Sequence, residues 1–319
     1  MRIACSVIAA MLTGHAVAQA DFPSRPVRII VNFAAGGPSD IVARIISARL
    51  TEAWGKSVVV ENIAGGGGNI GVERAVKATP DGYTILLSGS SPLVINPSLQ
   101  DKPSFDTVRD LAPVTLICTI PNLLVIHPAV AAKSVEEFVA LAKARPGQFT
   151  FASSGSGTAT HLGGELFMSS AGVDIRHIPY KGTGLMIPDL IAGRVTLTIA
   201  AMATFLPLVR DGRLRAIAVA SAKRSSALPD VPTIAEAGYV GVDTSSWQGA
   251  WVPAKSPAPL VRRLNQDLHR LLMVPDVRMR FAELGMEPVG NSEQAFARVI
   301  QSDLLKWAKV IKAAGVKAE

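Results

Sequence analysis

Short apolar runs recur along the chain at helix-sized intervals. Residues 27–31, 57–61, 83–88, 114–118, 123–127, 149–153, 175–179, 195–200 and 215–221 each read as a strand, the first of them as a buried one. Between most of them lie segments with helical spacing, such as Ile41, Val42, Ile45, Ile46 and Leu50, or Val135, Phe138, Val139 and Leu141. Strands that alternate with helices predict an α/β fold, with parallel sheets covered by helices on both faces. From Pro257 the pattern changes to helices alone. Leu260, Leu264, Leu268, Leu271 and Leu272 mark one, and Ser292 is placed to cap a second over 292–314.

Two places look like passages between lobes. Pro121 separates adjacent strand-like runs near 119–122, and residues 228–251 are rich in turn residues, which suits a connector. Two crossings imply that one lobe is inserted in the other. The expected division is 21–121 with 222–319 for lobe 1 and 122–221 for lobe 2, and 319 residues suffice for two cores.

Residues 1–20 stand apart: Arg2, an apolar stretch through Leu12, then Ala18-Gln19-Ala20 before Asp21. This predicts a secretory signal cleaved after Ala20, and hence a periplasmic protein. No other stretch approaches the roughly 20 apolar residues of a spanning helix. Cys5 leaves with the leader, so Cys118 remains alone and reads as a buried thiol, with no disulfide within one chain. Hydrophobic residues at 49% and charged residues at 18% describe a globular chain. The net charge of +7 is scattered, with no basic stripe and few aromatics, which argues against nucleic acid and leaves a mild field favouring small anions.

In open α/β sheets ligands bind beyond the carboxyl ends of strands. Four post-strand loops are rich in glycine and hydroxyls: 34–40, 88–91, 153–158 and 180–184. The first and third lead directly into helices, whose first-turn N–H groups and dipole make an anion site without a cation. For one loop alone, a turn glycine followed by a capping Ser39 or Asp40 explains as much. Two such loops in separate halves favour a ligand.

Catalytic patterns fit less well. Gly66, Gly68 and Gly71 satisfy the spacing of a dinucleotide loop, but they follow the second strand, and Asp81 precedes the next strand instead of ending it. Ser156 lies between glycines without a nucleophile elbow, and no His/Cys/Asp cluster has metal spacing. His161 either faces a ligand or packs locally. Lys181 either pairs with a carboxylate or stays solvated, Tyr180 offers a ring or hydroxyl, and Trp247 and Trp251 either close the crevice or anchor the connector.

The segments FPSRPVRIIVNFAAGGPSDIVARII, VVVENIAGGGGNIG, ATPDGYTILLSGS, FASSGSGTATHLGGELF, IPYKGTG, DLIAGRV, DGRLRAIAVAS and LPDVPTIAEAG occur in this order across nearly the whole chain after the leader. They resemble the Bug receptors, the substrate-binding proteins of tripartite tricarboxylate transporters. The resemblance implies a two-lobed, type II-like periplasmic binding protein fold, each lobe a mainly parallel sheet flanked by helices, with hinge crossings and a closed, ligand-trapping state. It implies a receptor and not an enzyme, monomeric and without cofactor or metal. A small organic acid would be delivered to membrane permease subunits, with a signalling partner as the alternative and a dinucleotide-dependent enzyme as a remote one.

The ligand carboxylate would be held largely by backbone N–H groups and ordered waters, between Phe33, Ala35, Gly36, Gly37, Ser39 and Asp40 on one side and Ser154, Gly155, Ser156, Gly157, Thr158 and His161 on the other. Ser88, Gly89, Ser90, Tyr180, Lys181, Gly182 and Thr183 would line the rest. This chain departs from the family pattern in two places. Asn32 stands where a proline is usual, and 198–202 lack an acidic residue often present there, which leans the ligand toward plain mono- or dicarboxylates over amino acids.

Overall fold

A computed structural model describes residues 22–99 and 103–314, so the leader expected over residues 1–20 lies outside the described residues. The chain lays down β1 (Val27–Val31), β2 (Val58–Asn62), β3 (Thr84–Gly89) and β4 (Leu111–Ile120) before it passes to a second sheet. There it forms β5 (Asn122–Ile126), β6 (Thr150–Ser153), β7 (Arg176–Pro179), β8 (Leu197–Ala201) and β9 (Arg215–Ala220). It then returns to the first sheet as β10 (Ser246–Pro253) and the short β11 (Glu287–Pro288). The strand orders are β11-β4-β10-β3-β1-β2 and β7-β6-β8-β5-β9.

Helices α1 (Pro38–Trp54), α2 (Asn69–Val76) and α3 (Thr107–Asp110) accompany the first group of strands. With the second come α4 (Val135–Ala144), α5 (Ala159–Ala171), α6 (Thr183–Ile191) and α7 (Met202–Arg210). Helices α8 (Ala258–Leu272), α9 (Pro275–Glu283) and α10 (Glu293–Ala314) follow the return, and Ser292 Oγ accepts the Ala295 N–H at 3.2 Å to cap the last.

The inner strands of each sheet are buried on both faces, as alternation along one strand shows. In β1, Ile29 and Val31 enter one core with Ala43 and Ile46 of α1, while Ile30 enters the other with Trp251 and Phe296. In β5, Leu124 and Ile126 face Phe138 and Phe167, while Leu123 and Val125 face Met186 and Phe205. This is the continuous apolar strand type that parallel α/β sheets require. Both sheets are nevertheless mixed. β1 runs parallel to β2 and β3, but β10 is antiparallel to β3 and β4, and β5 is antiparallel to β8 and β9, because β5 and β10 start at a crossing and run away from the cleft, where their neighbours end.

The reading of 228–251 as a connector fails at its end. Residues 246–253 form a central strand, inserted between β3 and β4. Trp251 is fully buried, Trp247 nearly so, and both rings pack on Phe296 at 5.0 and 5.3 Å, with Trp247 Nε1 donating to Asp303 Oδ2 at 2.7 Å. These tryptophans build the core under α10; neither closes the crevice. Replacing Trp251 by Ala should cost about 3–5 kcal/mol, read as a lower urea midpoint at unchanged slope.

Candidate functional site

The first loop leaves β1 with Asn32, whose Nδ2 donates to Gly68 O at 3.2 Å, and turns at Gly36, where φ is +81°. Asp40 folds back beneath this turn. Its Oδ2 accepts the Gly36 N–H and Arg44 Nε, both at 2.9 Å. Burial acts most strongly on this carboxyl and would raise its pKa. The hydrogen bonds from Arg44 and Gly36, helped by the nearby Asn62 amide, together outweigh it and hold Asp40 below the usual carboxylate range. Helix α1 then starts without a side-chain cap, at Gly37 followed by Pro38. Pro38 has no N–H, Ile41 N–H bonds to Gly37 O, and the N–H groups of Ser39 and Asp40 have no partner among the described residues. Neither Ser39 nor Asp40 caps the helix. Its positive end stays open.

The second loop uses its own donors. Ser154 N–H goes to Thr160 Oγ1 (2.8 Å), Gly155 N–H to Ser153 Oγ (3.1 Å), Gly157 N–H to His161 Nδ1 (3.1 Å) and Thr158 N–H to Gly155 O (3.2 Å). Thr158 Oγ1 caps α5 through the His161 N–H. Ala159 N–H crosses to Ser91 Oγ of the first lobe at 2.9 Å. The Thr160 N–H remains without a partner among the described residues. His161 packs under this loop on His177, with ring centres 4.1 Å apart, and His177 in turn stacks on Phe151 at 4.7 Å. The histidine is part of the loop's support.

Between the loops lies a cavity of about 50 Å3. Lobe 1 contributes Phe33, Gly37, Pro38, Ser39, Gly89, Ser90 and Ser91, and lobe 2 contributes Ser154, Ala159, Thr160 and Thr183. Asn122, Ala201, Ser246 and Gln248 come from strands beside the crossings. The wall contains hydroxyls and carboxamides and no charged side chain. The Ser90 and Thr183 hydroxyls are nearly buried and make no hydrogen bond among the described residues.

The remaining sequence candidates lie outside the wall. Ala35 and Gly36 form the turn behind it, Gly182 packs on Ala34, and Ser88 Oγ donates to Gly89 O at 3.0 Å. Gly155, Ser156, Gly157, Thr158 and His161 support the wall from below. Tyr180 donates its hydroxyl to Asp189 Oδ2 at 2.6 Å, and burial, with help from that carboxylate, pushes the phenol up to about 12. Lys181 is exposed. The glycines readable as a dinucleotide loop serve packing: a Cβ on Gly71 would lie 2.6 Å from Asn32 Cα, and one on Gly68 would lie 2.7 Å from Pro92 Cγ and 2.8 Å from Asn32 Nδ2. Sequence reasoning missed Asn122, Thr160, Ser246 and Gln248, and named Ser91 only as part of the 88–91 loop. The available signal was a lone polar residue inside an apolar strand, as in Asn122 of NLLVI.

Cys118 is fully buried, and burial pushes its thiol far above the ordinary range. Among the described residues no group of three His, Cys, Asp or Glu side chains is placed to hold a metal ion, and no helix is long and apolar enough to cross a membrane.

The lobes touch at backbone distance. A Cβ on Gly184 would lie 1.9 Å from Ala35 O, and the three nearest atoms it would meet belong to the first lobe. Gly184→Ala should therefore part the lobes, enlarging the radius of gyration in small-angle scattering while changing unfolding free energy by no more than about 1 kcal/mol. Asp40→Asn should cost about 1–3 kcal/mol at neutral pH, toward the low end because Arg44 is largely exposed. The folded carboxyl holds its proton less tightly than the unfolded one, so Asp40's contribution is complete above the unfolded value and disappears as pH falls through the lower folded value. The gap between wild type and variant should thus be constant near pH 7 and close below about pH 4, in urea unfolding at each pH.

Residues 42–316 match the tripartite tricarboxylate transporter family receptor. The chain is 37% identical over 297 residues to Protein BugT of Bordetella pertussis, covering 93% of this chain and 91% of BugT. Among solved structures it is similar to R. palustris Rpa4515 with adipate, at a TM-score of 0.90 and 36% identity, covering 93% of this chain and 99% of that one. It is also similar to MatC from Rhodopseudomonas palustris with bound malate, at a TM-score of 0.86 and 30% identity, covering 91% of this chain and 100% of MatC. The chain belongs to the tripartite tricarboxylate transporter receptor family.

Proposed function

We propose that this protein is a periplasmic receptor that captures a small organic acid between its lobes and passes it to a permease of the tripartite tricarboxylate type. On this reading residues 1–20 are a leader removed after Ala20, lobe 1 comprises 21–121 with 222–319, lobe 2 is 122–221, and the mature protein acts as a monomer. The observation that carries the reading is the cavity between the lobes. An uncapped helix end and neutral donors converge there, with no acidic side chain to repel a carboxylate or to hold an ammonium. The adipate and malate bound by two structural relatives support the same ligand class.

Binding proceeds in two stages on this reading. In the open form the α1 end, with the free N–H groups of Ser39 and Asp40, meets the carboxylate first. Closure then brings Thr160 and Thr183 from the second lobe and expels water, which strengthens each remaining dipole. The acid stabilises the closed form because only that form presents both half-sites. Nothing in this sequence of events forms or breaks a covalent bond.

The test is thermal unfolding of residues 21–319, refolded to remove co-purified ligand, against mono-, di- and tricarboxylates, acidic amino acids and NAD. A carboxylate at about 100 times its dissociation constant should add about 2.7 kcal/mol of stability, and plain acids should outperform their amino-substituted counterparts. Stabilisation by NAD with none by any acid would defeat the proposal.

A further inference from the structure

Gln248 is out of place by the ordinary rules of a central strand. It shares a face of β10 with Ala250 and Val252, which belong to the apolar core under α1, and it is 2% exposed. A carboxamide placed there needs partners for both its ends. Oε1 has one, accepting from Ser39 Oγ at 2.7 Å. Nε2 makes no hydrogen bond among the described residues and belongs to a side chain in the cavity wall.

The other carboxamide of the wall is already committed, for Asn122 Nδ2 donates to Thr244 O at 2.6 Å and to Thr244 Oγ1 at 3.1 Å. Gln248 is therefore the carboxamide with a donor to offer. Because it is tied to Ser39, the second residue of α1, that donor stands beside the unpaired N–H groups of Ser39 and Asp40.

Resting on the receptor reading above, we propose that Gln248 is the specificity-determining residue of this pocket: its Nε2 joins the Ser39 and Asp40 N–H groups to make a donor-only pole for a ligand carboxylate. Ser39 is the positioning residue. By donating its hydroxyl to Oε1 it fixes which end of the carboxamide faces the ligand, so the pole presents hydrogens and no lone pair. An uncharged donor set of this kind takes a carboxylate and gives an ammonium group no acceptor.

The experiment measures calorimetric affinity of refolded residues 21–319 for a series of straight-chain dicarboxylates, in wild type, Gln248→Glu and the near-isosteric Gln248→Met, with each variant's ligand-free unfolding midpoint as the check on folding. Gln248→Met should weaken the best-bound dicarboxylate by about 10- to 100-fold, the loss of one hydrogen bond to a charged group. Gln248→Glu should weaken it further at about pH 7.5, and its deficit relative to wild type should narrow at about pH 5 as the introduced carboxyl takes up a proton. Folded variants that bind the dicarboxylate as wild type does would overturn the assignment and leave the receptor reading standing. A wild type that binds none of the mono-, di- and tricarboxylates would remove both.

Discussion

A buried helix that starts without a cap leaves N–H groups that its own chain does not satisfy, and α1 starts in this way. The arrangement around it maintains that state. Asp40, which could have capped the helix, is drawn instead to Gly36 and Arg44. The Ser39 hydroxyl, the other available cap, is committed to Gln248. With both local acceptors engaged, the donors of the first turn wait for an acceptor from outside the chain. The neutral wall, the tight loops and the approach of the second lobe all make sense as the setting for that one unsatisfied end.

The two lobes contribute unequally. In the second loop nearly every N–H is bound by a neighbour's hydroxyl, imidazole or carbonyl, so this loop is a rigid surface more than a set of waiting donors. Its rigidity has a visible source in the Phe151, His177 and His161 stack beneath it. The first lobe offers the charge-like feature and the second offers the shape that encloses it.

Much of this was legible in the sequence, for identifiable reasons. Strands buried on both faces announce themselves as unbroken apolar runs, and nine strands, including the half-exposed edges β2 and β7, stand close to where strand-like runs lie. β10 escaped because SWQGAWVP mixes Gly and Gln with two Trp and follows a long turn-rich stretch, and α9 escaped because its nine residues carry only two buried apolar positions. At the site, glycine and helix-start patterns located the right loops. They could not reveal that side chains already occupy the second loop's donors, nor that the wall residues Asn122 and Gln248 sit in strands mostly given to the core. Asn32 is a related case. Its amide holds Gly68 and so ties the glycine-rich loop to the end of β1, a bond that proline could not make.

The return of β10 to the middle of the first sheet also orders events during biosynthesis. All strands of the second sheet fall within residues 122–220, so that sheet has its full complement as soon as this segment has emerged. The first sheet, although it contains the earliest strands, has a gap between β3 and β4 until residue 253 is available. The lobe that begins first is thus completed last, and until then β3 and β4 present open edges of the kind that invite mispairing with another chain.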